Sequence, residues 1–168
     1  MKIIDVIGFS GSGKTYFIMN AIKGIKRKLN CNVAVIKNVK HHHIDEEGKD
    51  SYNFTKSGAS YSIIQNVYNE MAIFLKVEEN RLDEFLNWLN QGPYKIDIVI
   101  TEGFRNLHHP TILCVGSIDE IESQITNNVK MISGIICAKK TVSKSSLNIP
   151  IINIEENFEN FLEIFNIS

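Results

Sequence analysis

Ile3-Ile4-Asp5-Val6-Ile7-Gly8-Phe9-Ser10-Gly11-Ser12-Gly13-Lys14-Thr15-Tyr16-Phe17-Ile18 decides how this chain is read. A short β-branched run leads straight into Gly8–Thr15, which satisfies GxxxxGK[ST], and a helical pattern opens at Lys14. The glycines let the backbone curl so that successive N–H groups face a chain of phosphates. They do so at a helix N-terminus whose dipole favours anions. Lys14 is placed to neutralise the β- and γ-phosphates, and the Thr15 hydroxyl to ligate Mg²⁺. Gly11, Ser12, Gly13, Lys14 and Thr15 are therefore the expected nucleotide-binding residues.

Outward from this loop, apolar runs alternate with amphipathic ones. Ile3–Ile7, Val33–Ile36, Ile96–Ile100, Ile112–Val115, Ile132–Cys137 and Ile149–Ile152 read as strands covered on both faces. Lys14–Leu29 carries Ile18, Ile22, Ile25 and Leu29 on one helical stripe, which Gly24 weakens without breaking. Arg81–Gln91 repeats the pattern until Gly92-Pro93 ends it. Ser117-Ile118-Asp119-Glu120 has capping-box spacing ahead of a short helix, and Ile154–Phe165 closes the chain as another. Asp50–Ser57 is a further helix with Gly58 as its cap. Tyr61–Gln65 and Met71–Val77 flank Asn66–Glu70 and form either a β-hairpin or two sheet strands. The expectation is α/β: one P-loop NTPase-type, three-layer domain over residues 1–168, with a mostly parallel sheet and helices on both faces.

Composition narrows the class. Of 168 residues, 43% are hydrophobic and 22% charged, as in a soluble fold with a substantial core. Eighteen Lys and Arg against nineteen Asp and Glu leave a net charge of −1, which argues against nucleic acid as a partner. No apolar run approaches the roughly 18 residues that span a bilayer. Asp5 interrupts the first apolar run, which reads as a buried strand rather than a signal peptide. Cys31, Cys114 and Cys137 are odd in number and form no CxxC, which fits a reducing cytoplasm.

A phosphate loop needs a carboxylate near the metal, delivered by a buried strand. Asp97-Ile98-Val99-Ile100-Thr101-Glu102-Gly103 supplies it, with Glu102 at the strand end and Gly103 turning the chain. Asp97 starts the same strand, about 17 Å away at ~3.4 Å per residue, and cannot share an ion with Glu102. Glu102 is thus the expected metal-side and catalytic acid. Beyond the second strand lie Lys37, Lys40, His41-His42-His43 and Lys49-Asp50. Consecutive histidines cannot all point one way, so a metal face suits them poorly. Lys37, His42, His43, Lys49 and Asp50 suit recognition of an anionic ligand or partner, outside the carboxyl ends of the strands.

Three blocks, GFSGSGKT at Gly8–Thr15, Ile36-Lys37 with its histidine loop and Gly48-Lys49-Asp50-Ser51, and Thr101-Glu102-Gly103-Phe104-Arg105 with Pro110, resemble the molybdopterin-guanine dinucleotide biosynthesis adapter family, MobB, as far as Val115. Asn38 stands where that family often has His, and Glu47 where it often has Pro. The resemblance implies a cytoplasmic homodimer that binds Mg·GTP and hydrolyses it weakly. It also implies partnership with the guanylyltransferase that joins GMP to molybdopterin, and with molybdopterin itself. Glu102 and Thr15 would flank the Mg²⁺, and Lys37, His42, His43, Lys49 and Asp50 would form the family's second signature. The alternatives are a small P-loop kinase transferring the ATP γ-phosphate to a nucleotide or metabolite, and a purely regulatory GTP-binding partner with no turnover. Arg27, Arg81 and Arg105 are few for such a transfer. No Asn-Lys-x-Asp motif reads the base, and Ala138-Lys139-Lys140 is the candidate base pocket.

Overall fold

A computed structural model describes residues 1–75, 82–138 and 148–168. In chain order the elements are β1 (Lys2–Ile7), α1 (Lys14–Leu29), β2 (Val33–Lys37), α2 (Asp50–Lys56), β3 (Ser62–Gln65), β4 (Met71–Phe74), α3 (Leu82–Gln91), β5 (Ile98–Glu102), β6 (Thr111–Cys114), β7 (Val129–Ser133) and α4 (Phe158–Ile164). Lys76, Val77 and Arg81, expected at element ends, and Lys139 and Lys140 of the candidate base pocket lie outside the described residues. The chain gathers into two compact units: Met1–Asn38 with Gly92–Ser168, and Val39–Gln91. No helix among the described residues is long and apolar enough to cross a membrane.

The first unit is built on a sheet of order β2-β5-β1-β6-β7 in which every pair is parallel. Period two sorts its side chains. Ile4 and Val6 of β1, Ile98 and Ile100 of β5, Ile112 and Cys114 of β6 and Met131 of β7 bury against Phe17, Ile18, Ala21 and Ile25 of α1 and Phe161 and Leu162 of α4. The opposite face packs Ile7, Leu113 and Ile132 with Ile121 and Ile136. Gly24 has a reason beyond propensity: a Cβ there would overlap the Phe158 ring, so its absence lets α4 close on α1.

Three expectations change in the structure. The run Ile132–Cys137 is not one strand. β7 stops at Ser133, Gly134 turns at φ 97, and Ile135–Ala138 winds as a 3₁₀ turn. The segment after Ser117 is a 3₁₀ turn over Ile118–Glu120, with no side-chain cap from Ser117. Glu120 instead reaches back to accept the Gly116 N–H at 3.1 Å. Ile149–Ile152 makes a single parallel bridge, Ile132 to Ile151, rather than a sixth strand.

In the second unit, β3 and β4 form an antiparallel hairpin with Ser62 opposite Phe74 and Gln65 opposite Met71. That settles the two readings in favour of the hairpin for residues 62–74. Asn66 closes its loop, its side-chain oxygen accepting from the backbone N–H groups of Tyr68 and Glu70.

Candidate functional site

Because all five strands of the first unit are parallel, everything that follows a strand gathers at one end. The Gly8–Lys14 loop leaves the central strand β1, flanked by the ends of β5 and β6. Three of its glycines take positive φ: Gly8 at 146, Gly11 at 76 and Gly13 at 95. Two are also hemmed in. A Cβ at Gly8 would overlap the Cys114 carbonyl oxygen, and one at Gly13 would press the Ile135 nitrogen at 3.2 Å. Gly11, in contrast, has nothing within 4 Å of such an atom among the described residues. The loop is braced from behind, since Ile135 donates its N–H to the Ser12 carbonyl at 3.1 Å.

Gly13 stands at the N-cap of α1 without any side-chain cap, so the first-turn N–H groups keep no internal acceptor. Lys14 folds over the loop and donates to the Gly8 and Phe9 carbonyls at 3.1 and 2.7 Å. The Ser12 hydroxyl is buried with no hydrogen-bond partner among the described residues. Thr15 follows on the first turn, exposed. Orphan N–H groups, a positive dipole end, a flexible cation and unfilled hydroxyl capacity fit a polyphosphate with its divalent cation.

Glu102 ends β5, opposite Val6 in the register with β1, and is only 7% exposed. Gly103 turns the chain there at φ 83 and donates its N–H to Val6. On the other side β2 brings Lys37 opposite Glu102, with the ammonium 3.5 Å from the carboxylate. Glu102 and Lys14 converge on a shared neighbour, the thiol of Cys114. Burial first, then Cys137 and Glu102, push that thiol up to about 12, against the opposing field of Lys14. The structure therefore gathers Gly11, Ser12, Gly13, Lys14, Thr15, Lys37 and Glu102 at one end of the first unit's sheet.

His42, His43, Lys49 and Asp50 belong to the second unit. The His42 Nδ1 lies 3.0 Å from the His43 carbonyl, and Lys49 pairs with Glu46 at 3.6 Å, all of them exposed. Asp50 opens α2, where its charge favours the helix N-terminus. Asp45 ties loop to helix, accepting from the Glu46 N–H and the Ser51 hydroxyl at 2.9 and 3.0 Å. A cleft of about 610 Å³ lies within this unit, lined by His42, His43, Asp45, Tyr52, Lys56 and Phe74 among others. No three or more His, Cys, Asp or Glu side chains among the described residues are grouped to hold a metal.

With this geometry in view, the chain compares directly with known proteins. The family model described as molybdopterin guanine dinucleotide synthesis protein B matches residues 3–138. The chain belongs to the MobB family. A relative in Haemophilus influenzae, called a molybdopterin-guanine dinucleotide biosynthesis adapter protein, is 30% identical over 67% of this chain and 62% of its own length. A Methanocaldococcus jannaschii relative with a provisional form of that name is 33% identical over 62% of this chain. The match takes in only 42% of the archaeal protein. Among solved structures, Bacillus subtilis MobB superposes with a TM-score of 0.72 at 21% identity, covering 100% of both chains. The Bacillus stearothermophilus homologue gives 0.69 at 22%, over 99% of this chain and 97% of that one. At those identities the likeness carries the fold.

Within this MobB-family site, two contributors escape a reading of the sequence. Gly134 backs the loop, since a Cβ there would overlap the Ser12 carbonyl oxygen. Its signal was a glycine in the middle of an apolar run, which marks a close backbone approach or a break. Gln124 is 3% exposed and holds Arg105, and no motif announces it.

Proposed function

We propose that this chain is a cytoplasmic GTP-binding adapter that hydrolyses its nucleotide weakly and assists attachment of GMP to molybdopterin. The observation that carries the reading is the braced, glycine-turned loop with Lys14 folded over it, in a chain of the MobB family. Gly11, Ser12, Gly13 and Lys14 would hold the phosphates. Lys14 exchanges its two carbonyl acceptors for phosphate oxygens, a gain because the new acceptors carry a full negative charge opposite the ammonium. Thr15 and Glu102 would hold the Mg²⁺, which supplies charge neutralisation for the β- and γ-phosphates when bound. Glu102 serves catalysis by orienting water, and Lys37, paired with it at 3.5 Å, holds that carboxylate in place.

His42, His43, Lys49 and Asp50 form the surface for molybdopterin or for the guanylyltransferase that uses it. Their polar, cationic character and the adjoining cleft support that role. A second copy of the chain joins through the hairpin, whose two strands pair with no third strand among the described residues and which leaves Ile63, Ile64, Val67, Tyr68, Met71 and Ile73 exposed. All three cysteines are free thiols, as suits the cytoplasm.

The test is calorimetric titration of the purified chain with Mg·GTP and Mg·ATP, with phosphate release followed on the same samples. GTP preferred, with very slow release, supports the adapter. ATP preferred, with turnover that rises when a metabolite acceptor is added, replaces it with a small P-loop kinase.

A further inference from the structure

Arg105 follows Glu102 by three residues at the carboxyl end of β5. Its guanidinium carbon lies 5.5 Å from the centroid of the Phe9 ring, over the second residue of the phosphate loop. Phe9 thereby carries two cations. The Lys14 ammonium donates to its carbonyl at 2.7 Å, and the Arg105 guanidinium covers its ring.

The guanidinium is held there by an unusual partner for a cation. Arg105 Nη2 donates to the side-chain oxygen of Gln124 at 2.8 Å. Gln124 is 3% exposed and is itself fixed, its amide nitrogen donating to the Glu120 carbonyl at 3.3 Å. That bond decides which way the amide points and presents oxygen, not nitrogen, to Arg105. No carboxylate among the described residues forms an ion pair with Arg105. A neutral amide orients a guanidinium without cancelling its charge. Among the described residues one N–H is used, and the remaining donors of the five-donor fork stay at the mouth of an anion-binding loop.

We propose that Arg105 is a second phosphate-binding cation of this site, oriented by Gln124 to contact the terminal phosphate of a bound nucleoside triphosphate. The inference rests on the nucleotide reading above and extends it: Lys14 serves the phosphates the loop encloses, and Arg105 serves the last one. A guanidinium suits that position because its planar fork matches two phosphate oxygens at once. The competing account is mechanical, with Arg105 stacking on Phe9 only to steady the loop. The two differ in one measurable respect. A phosphate contact discriminates triphosphate from diphosphate, and a loop brace does not.

The experiment measures calorimetric affinities of the full chain for Mg·GTP and Mg·GDP in wild type, Arg105→Ala, Arg105→Lys, Gln124→Leu and the Arg105→Ala/Gln124→Leu double variant, with thermal unfolding followed in parallel. Arg105→Ala should lose about 10-fold or more in triphosphate affinity while diphosphate affinity moves less than about 2-fold, the scale of one charge-assisted contact. Arg105→Lys should recover part of that loss. Gln124→Leu should lower the triphosphate-to-diphosphate ratio, yet add nothing once Arg105 is Ala. Equal losses for both nucleotides, or none, in variants that remain folded would overturn the proposal and leave Arg105 a brace. A wild-type chain that binds neither nucleotide would instead overturn the phosphate-loop reading beneath it.

Discussion

The phosphate loop of the first unit and the histidine loop of the second both turn on glycines with positive φ, yet they are held in opposite ways. Gly8 and Gly13 are crowded by Cys114 and Ile135, and Gly134 in turn is crowded by Ser12, so each also fills a steric requirement. Gly48 and Gly58, at φ 91 and 100, have nothing among the described residues within 4 Å of where a Cβ would sit. One loop takes its shape from the sheet behind it. The other takes its shape from local bonds such as Asp45 to Ser51 and Lys49 to Glu46. A site that must present N–H groups to a phosphate before binding needs the first construction. A surface that meets a partner can use the second.

The widest gap between the two should appear on adding a methyl group. Gly8→Ala combines left-handed strain with a backbone overlap at Cys114, and should cost more than about 3 kcal/mol and abolish nucleotide binding. Gly48→Ala meets only the strain and should cost about 1 kcal/mol. Urea unfolding reads both; equal costs would break the contrast. Next in size is Lys14→Ala, expected to lower GTP affinity at least about 100-fold, or about 2.7 kcal/mol, with little change in the unfolding midpoint. Calorimetry that finds GTP binding unchanged would sink the phosphate-loop assignment.

Two further changes address the second unit alone. Ile63 and Ile73 face each other across the hairpin and are 58% and 40% exposed. Placing Lys at both sets like charges opposite each other on an apolar patch, and should shift light-scattering mass from dimer to monomer at micromolar concentration. A mass that stays dimeric places the interface elsewhere. Replacing His42 and His43 with Ala should leave GTP affinity within about 2-fold while weakening capture of molybdopterin or its transferase about 10-fold. Loss of GTP binding there would assign the histidine loop to the phosphates.

How far the sequence could be read differs along the same line. The loop from Gly8 to Thr15 and the central strand before it were legible because backbone chemistry constrains residue type there, and the strand-end position of Glu102 was legible from the turn that Gly103 makes. A glycine is needed where φ is positive, and β-branched runs where both faces of a sheet are covered. Ile132–Cys137 misled because an apolar run looks alike whether its second half continues a strand or winds into a turn. Only Gly134 distinguished them, and its partner, Ser12, lies more than a hundred residues away. Gln124 was invisible for the same reason, and Arg105 showed only as the end of the Thr101–Arg105 block, without its partner. Their relation is one of space, between residues whose types permit many partners.

The smallest predicted effect separates the two ends of β5. Glu102 lies at the carboxyl end among the site's charges, whereas Asp97 precedes the strand at the far end and holds chain segments together. The Asn32 backbone N–H donates to Asp97 at 2.8 Å, and Lys95 pairs with it at 3.1 Å. The Asn32 bond first, and Lys95 second, hold the Asp97 carboxyl below its ordinary value of 3.8. A depressed folded value means that the unfolded chain binds the extra proton first. Stability from this group is therefore present above about pH 3.8 and is lost as pH falls through the folded value beneath it. Asp97→Asn should be slightly less stable than wild type at neutral pH, with the gap closing in acid and GTP affinity untouched. The group is exposed to solvent screening, so the gap is small. Denaturant midpoints measured from pH 7 to pH 2 test it. A gap that persists at the acid end would assign the loss to geometry rather than charge, and any fall in GTP affinity would deny that the two ends of the strand do separate work.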